Sequence, residues 1–295
     1  MNDISKLIVR AETLVGRLEK LLTAEPAPID WKASIAFRWR RRYGRGSVEP
    51  VTNVHRIELQ DLRGIDQQKQ SVEQNTRQFV EGFPANNVLL TGARGTGKSS
   101  LVKALLNKYA PRGLRAIEVE KQDLIDLPEI VECIYRRAER FVLYCDDLSF
   151  EADEPGYKAL KVVLDGSVAA ASENCLIYAT SNRRHLMPEY MHENLEYKHV
   201  GEEIHPGETS EEKVSLSERF GLWVSFYPFD QDDYLKIVAV WLEHFKAPGA
   251  HSDVVERAAL QWALQRGSRS GRVAWQFARD WAGKQRMKAE GGRRN

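Results

Sequence analysis

A chain of 295 residues and 33.7 kDa has room for one large α/β domain and a smaller appendage. A formal net charge of +1, 29% charged residues and a mean hydropathy of -0.48 argue against a globally electrostatic nucleic-acid binder and against a bilayer-spanning chain, while local charged patches stay open. The cysteines Cys133, Cys145 and Cys175 share no paired spacing and two lie in apolar runs, which reads as reduced thiols in a cytoplasmic protein without membrane insertion.

The first predicted element is a helix. Ile4, Leu7, Ile8, Ala11, Leu14, Val15, Leu18, Leu21 and Leu22 recur at three- and four-residue spacing and form one apolar stripe, with no continuous apolar core of the signal-peptide kind. That stripe suits packing on the same protein, or docking to a partner or another copy. Pro26 and Pro28 end the periodicity. The run Phe37-Arg38-Trp39-Arg40-Arg41-Arg42-Tyr43-Gly44-Arg45 then interleaves cations with aromatic rings. Such a run can clamp phosphates and stack bases, or it can pair with acidic residues of a neighbouring element. Residues 1–53 are accordingly expected to form an N-terminal helical extension with a basic-aromatic segment.

From residue 54 the pattern becomes regular. A helix is predicted over 66–81 and another over 98–109, with strands at 87–90, 114–119, 141–145, 175–179 and 223–226. Strands alternating with helices imply a three-layer α/β sandwich around a five-stranded parallel sheet, spanning 54–229. The stretch His199 to Glu212 reads as a solvent loop. After Phe229 the apolar residues recur only at helical period, broken at Pro248-Gly249 and at Gly267 to Gly271, which predicts a small helical lid over 230–287 and a disordered tail at 288–295.

Between the first strand and the helix after it lies Gly92-Ala93-Arg94-Gly95-Thr96-Gly97-Lys98-Ser99, a match to G-x-x-x-x-G-K-[ST] at every fixed position. The spacing suits a triphosphate cradle. Backbone N–H groups of the loop and the positive end of the following helix face the phosphates, Lys98 reaches the β- and γ-phosphates, and Ser99 offers a hydroxyl to Mg²⁺. The expected nucleotide contacts run from Gly92 through Ser100. A glycine-rich strand-to-helix turn would not by itself explain the Lys-Ser pair.

A second signal is independent of the first. The apolar run from Phe141 to Cys145 ends in Asp146-Asp147, and strand ends of open α/β sheets are where ligands bind. There Asp146 is expected to hold the metal and Asp147 to polarise the attacking water, the plain alternative being a helix cap or turn. At the next strand end, Thr180-Ser181-Asn182, the amide of Asn182 would lie beside the γ-phosphate unless it only caps a helix.

Phosphate loop, Asp-Asp strand end, Thr-Ser-Asn strand end, Ser217-Glu218-Arg219-Phe220 and a late Gly271-Arg272 together resemble the AAA+ ATPases. The longer strings Asp146-Asp147-Leu148-Ser149-Phe150-Glu151 and Ala179-Thr180-Ser181-Asn182-Arg183-Arg184-His185-Leu186 resemble the bacterial AAA+ group catalogued as domain of unknown function 815, over roughly Asp61 to Trp281. The resemblance implies that Asn182 is the first sensor and that Arg219 is an arginine finger serving the γ-phosphate of a neighbouring subunit. It also implies that Arg272 is the second sensor, and that Gly64 and Ile65 line the adenine pocket. Arg219 pairing with Glu218 or Glu212 is the alternative for that residue; Arg266 and Arg269 are alternatives for Arg272.

The chain departs from the AAA+ pattern in three places. Thr91 stands where an apolar residue is usual before the loop, and Asp147 stands where motor-type members carry Glu. Glu118 to Leu127 also lacks the aromatic of protein-threading unfoldases. The resulting expectation is an ATP- and Mg²⁺-dependent hydrolase that acts as a homo-oligomer on a protein or nucleic-acid client. The alternatives are a slow ATP-gated binding switch and a small-molecule kinase, the last disfavoured by the late helical lid.

Overall fold

In a computed structural model, residues 2–23, 29–42, 44–150, 154–165, 173–183, 186, 198–200, 203–205, 216–247 and 249–291 are described. The expected N-terminal helix forms as α1 (Asn2–Thr23). It belongs to a unit of its own, Met1–Ala33, with Leu7, Ile8, Val9, Leu14 and Val15 exposed. Pro26 and Pro28 lie outside the described residues.

The second unit, Ser34–Asn295, opens on a hairpin of β1 (Ala36–Arg42) and β2 (Arg45–Pro50). There follow α2 (Asp66–Val80), β3 (Val88–Gly92), α3 (Lys98–Tyr109), β4 (Leu114–Glu118), α4 (Leu127–Ile134) and β5 (Arg140–Cys145). Next come α5 (Pro155–Asp165), β6 (Cys175–Ser181), a short pair β7 (Lys198–Val200) and β8 (Glu203–His205), and β9 (Leu222–Phe226). Three helices close the chain: α6 (Gln231–His244), α7 (Asp253–Arg266) and α8 (Gly271–Gly291).

The main sheet has the order β2-β1-β4-β5-β6-β3-β9. Its strands β4-β5-β6-β3-β9 pair in parallel, and the inner three, β5, β6 and β3, are buried on both faces. The sheet nevertheless has seven strands, so the five-stranded expectation is corrected. The basic-aromatic run of the supposed helical extension is β1, parallel to β4 and antiparallel to β2. Its period is two: Phe37 and Trp39 are each 1% exposed, while Arg38, Arg40 and Arg42 alternate with them on the opposite face. The density of charge hid the alternation.

Two further boundaries move. Residues 199–200 and 203–205 of the supposed solvent loop belong to the β7–β8 ladder, while 201–202 and 206–212 lie outside the described residues. The last helix continues through Gly291 instead of ending at 287. The lid helices carry the caps their ends call for: Asp230 Oδ1 accepts from Asp233 N at 2.8 Å, Ser270 Oγ from Val273 N at 3.3 Å, and Gly267 closes α7 at φ 64.

Strand order places the site. The carboxyl ends of β5, β6 and β3 are neighbours, so the acidic pair, Asn182 and the phosphate loop emerge side by side. One face of these strands, with Leu90, Val142, Tyr144 and Tyr178, shares a core with α2, α3 and the lid helices. Thr91 is buried and accepts from Trp223 Nε1 at 2.8 Å, a local reason for its hydroxyl in an otherwise apolar strand.

Candidate functional site

The loop between β3 and α3 needs its glycines for space as well as for conformation. Gly92 has φ 122, and a Cβ there would lie 1.9 Å from the Phe226 carbonyl oxygen on β9. Gly95 has φ 75, and its Cβ would meet Ser270 Oγ at 2.9 Å, because the turn before α8 rests on the loop. Gly271 N donates to Gly95 O at 2.8 Å, and Ser270, its neighbour, is buried. The N-terminus of α8 is therefore joined directly to the phosphate loop.

Lys98, at the first turn of α3, is only 6% exposed. Its Nζ donates to Gly92 O and Ala93 O, each at 2.7 Å, and to Asn182 Oδ1 at 3.2 Å. Burial pushes the ammonium below its ordinary value, and Arg94 adds to that, while Asp147 and Asp146 oppose it. Thr96 Oγ1 donates to Ala93 O at 2.8 Å and steadies the loop.

Across the cleft, Ser99 Oγ donates to Asp146 Oδ1 at 2.8 Å and Thr180 Oγ1 to the same oxygen at 2.6 Å. Burial alone would raise the Asp146 carboxyl, but the neighbouring hydroxyls, Thr180 first and then Tyr144 and Ser99, outweigh it and hold Asp146 below the usual carboxylate range. The Tyr144 hydroxyl lies near the Ser99 hydroxyl and close enough to Asp146 to feel its charge, yet has no hydrogen-bond partner within normal geometry. Burial pushes that phenol far up, so it keeps its proton.

Asp147 takes a left-handed backbone, φ 54, and its N–H donates to Thr180 Oγ1 at 2.9 Å. Asn182 Nδ2 donates to its carboxylate, and Arg94 Nη2 stands 3.9 Å from Asp147 Oδ2. The amide of Asn182 thus links Lys98 to Asp147. From two strand ends and one loop, the structure brings together Lys98, Ser99, Asp146, Asp147 and Asn182 as a cation, a hydroxyl, two carboxylates and an amide. Ser99 and Asp146 are hard oxygen donors of the kind Mg²⁺ takes, and a buried unpaired hydroxyl next to them suits a shell of ion-bound water. The donor set fits that ion, which would supply charge neutralisation to a bound triphosphate.

The remaining expected residues distribute as follows. Gly64, φ 72, abuts the Phe229 ring and Asp233 at the start of the lid. The Ile65 Cδ1 lies 3.3 Å from where a Cβ on Gly97 would be, so both residues border the loop. Arg272 is exposed with its Cβ against Gly95, whereas Arg266 stacks over Trp262 at 5.1 Å. Ser100 sits partly exposed in the first turn of α3. Arg219 Nε pairs with Asp165 at the end of α5, and Glu212, one of its expected partners, lies outside the described residues. Sequence reasoning missed Thr180, Tyr144 and Ser270. Thr180 belongs to the Thr-Ser-Asn strand end, but nothing in spacing shows which strand-end hydroxyl turns toward a carboxylate.

The fold is an α/β P-loop domain followed by a group of helices, an arrangement that resembles the AAA+ proteins. Two solved structures share the fold. A mutant of RuvB from Thermotoga maritima aligns with TM-score 0.52 at 13% identity, over 75% of this chain and 64% of that one. The Orc1 protein of Aeropyrum pernix in complex with DNA aligns with TM-score 0.51 at 16% identity, over 72% and 58%. The chain thus spans less than two thirds of the length of either. No curated protein sequence matches it. By its match over residues 32–285, the chain belongs to the family described as Protein of unknown function (DUF815).

Proposed function

We propose that the protein binds ATP with Mg²⁺, hydrolyses it to ADP and phosphate, and works as a homo-oligomer that remodels or loads a macromolecular client. The observation that carries the reading is the convergence of Lys98, Ser99, Asp146, Asp147 and Asn182 at three adjoining chain segments. In it, Lys98 exchanges its loop carbonyls for phosphate oxygens. Ser99 and Asp146 hold the metal, Asp147 takes a proton from the attacking water, and Asn182 orients that water between Asp147 and the γ-phosphate. The loop amides from Gly92 to Gly97 and the start of α3 at Ser99 and Ser100 bind the phosphates. Gly64 and Ile65 line the base pocket, and Arg272 carries the nucleotide state into α8 through the Gly95–Gly271 hydrogen bond. Domain limits follow function: 54–229 binds nucleotide, and the segment from 230 is the lid.

Arg219 is assigned to a neighbour's γ-phosphate, where a guanidinium stabilises developing charge. Its ion pair with Asp165 would then be exchanged on assembly. Asp147 is one methylene shorter than Glu and is already engaged by Asn182 and Arg94, which favours slow turnover and an ATP-gated binding switch as the second reading. The client of such a switch is better sought among proteins than among nucleic acids. The arginines that motivated the latter are matched to acids: Arg38 to Glu118 at 2.7 Å, Arg40 to Glu120 at 2.8 Å and Arg41 to Asp126 at 3.0 Å.

The test is phosphate release against protein concentration. Release rises faster than linearly, falls at least about tenfold in Arg219→Ala, and stops in Asp147→Asn while ATP binding persists. Release strictly proportional to concentration and unaltered in Arg219→Ala removes the intersubunit finger. A captured client that stays attached to Asp147→Asn in ATP identifies what is moved.

A further inference from the structure

Three described hydroxyls stand around Asp146, and one of them is unpartnered. Ser99 and Thr180 both donate to Asp146 Oδ1. The Tyr144 hydroxyl has no hydrogen-bond partner, although the residue is only 5% exposed. Tyr144 precedes Asp146 by two residues, so both side chains leave the same face of the sheet, the face that α3 covers. Ser99 lies in the first turn of that helix. The phenol is thus sealed beneath the pair of groups that would hold the metal.

An unpartnered buried hydroxyl is destabilising in itself, and a phenylalanine would fill the same space without it. The ring is accounted for by the core it shares with Val142 and Leu105. The oxygen is not. Mg²⁺ sheds its water reluctantly and usually keeps several molecules, each of which needs an acceptor for its protons. A phenol can accept from such a water and donate to a carboxylate at once, and groups behind metal ligands set their orientation and affinity.

We propose that Tyr144 is a positioning residue of the magnesium site: its hydroxyl accepts a hydrogen bond from ion-bound water and donates to Asp146, selecting the metal–nucleotide complex over nucleotide alone. This rests on the ATP-binding reading above. It adds a residue whose contribution appears only when the ion is present.

The test compares the full chain with Tyr144→Phe, titrating Mg²⁺ against a fixed concentration of a fluorescent, non-hydrolysable ATP analogue and reading anisotropy. The half-saturating Mg²⁺ concentration rises by about tenfold in the variant, in the range known for groups behind metal ligands. Affinity for the analogue in EDTA stays at the wild-type value, and the thermal midpoint without Mg²⁺ is unchanged or raised, because no hydrogen bond is lost. An unchanged Mg²⁺ dependence, or an equal loss of affinity with and without Mg²⁺, overturns the proposal. So does a lowered metal-free midpoint, which would show that the hydroxyl serves the fold. Failure of the wild-type chain to bind the analogue under any condition removes the ATP reading itself, a result distinguishable from the others.

Discussion

Two parts of the sheet collect charge, and they use it in opposite ways. At the outer edge, Arg38, Arg40 and Arg41 of β1 meet Glu118, Glu120 and Asp126, and Trp39 Nε1 donates to the same Asp126 at 3.0 Å. Each cation is matched locally, and the result fastens a hairpin to β4 and the turn after it. At the carboxyl ends of β3, β5 and β6, Lys98 is held on carbonyls of its own loop, with two carboxylates across the cleft and no direct ion pair between them. One region neutralises its charges in close pairs; the other keeps Lys98 apart from both carboxylates, and its one ion pair, Arg94 with Asp147, is long at 3.9 Å and exposed. High local charge in a sequence is therefore a poor guide to a ligand site, and the geometry of unmatched charge is a better one.

The sharpest way to break this contrast is to remove the hairpin's buried anchor. Trp39→Ala empties a site that is 1% exposed and strips a donor from Asp126, and it is expected to cost about 3–5 kcal/mol of stability by urea denaturation. ATP affinity of the folded fraction stays as it was. A loss of affinity with little loss of stability would show that the hairpin belongs to the site after all.

Next in size is Lys98→Ala. Nucleotide affinity by calorimetry drops at least about 100-fold, the equivalent of about 2.7 kcal/mol. Unfolding moves far less than in Trp39→Ala, since the Gly92 and Ala93 carbonyls can turn to water at the cleft. A variant that binds ATP normally would place the phosphates elsewhere.

The same contrast explains what the sequence could and could not tell. The five central strands, the loop with its Lys98-Ser99, and the acidic pair were legible because each rests on a local rule: burial on both faces, glycine at fixed spacing, and carboxylates at a strand end. The helices of the lid were legible by their period. The hairpin was not, because its alternation places arginine at every outward position and reads as a charge run until Phe37 and Trp39 are seen to face inward. Nor were Thr180, Tyr144 or the Gly95–Gly271 contact. They depend on which strands adjoin, and a strand order of β5-β6-β3 is a property of the whole chain. The ion pair between Arg219 and Asp165 is of the same kind, joining residues 54 positions apart.

The smallest effect separates the two regions by sign. Burial, followed by Asp126 and Glu120, raises the Asp123 carboxyl near the hairpin, with Arg40 and Arg41 opposing. Asp146 in the cleft lies below its ordinary value of 3.8, because the neighbouring hydroxyls of Thr180, Tyr144 and Ser99 outweigh the cost of its burial. A lowered folded value means that the unfolded chain binds more protons in the window just under pH 3.8, so stability from Asp146 is complete above that window and is lost as pH falls through it. For Asp123 the folded chain binds more protons, and stability is lost as pH rises from 3.8 through the raised value. Asp123→Asn is thus expected to raise the thermal midpoint slightly at neutral pH and to leave the acid limb alone. Asp146→Asn should lower the neutral midpoint and flatten the acid limb. If both variants moved the midpoint in the same direction at neutral pH, the division between a self-neutralised edge and a poised cleft would not hold for these carboxylates.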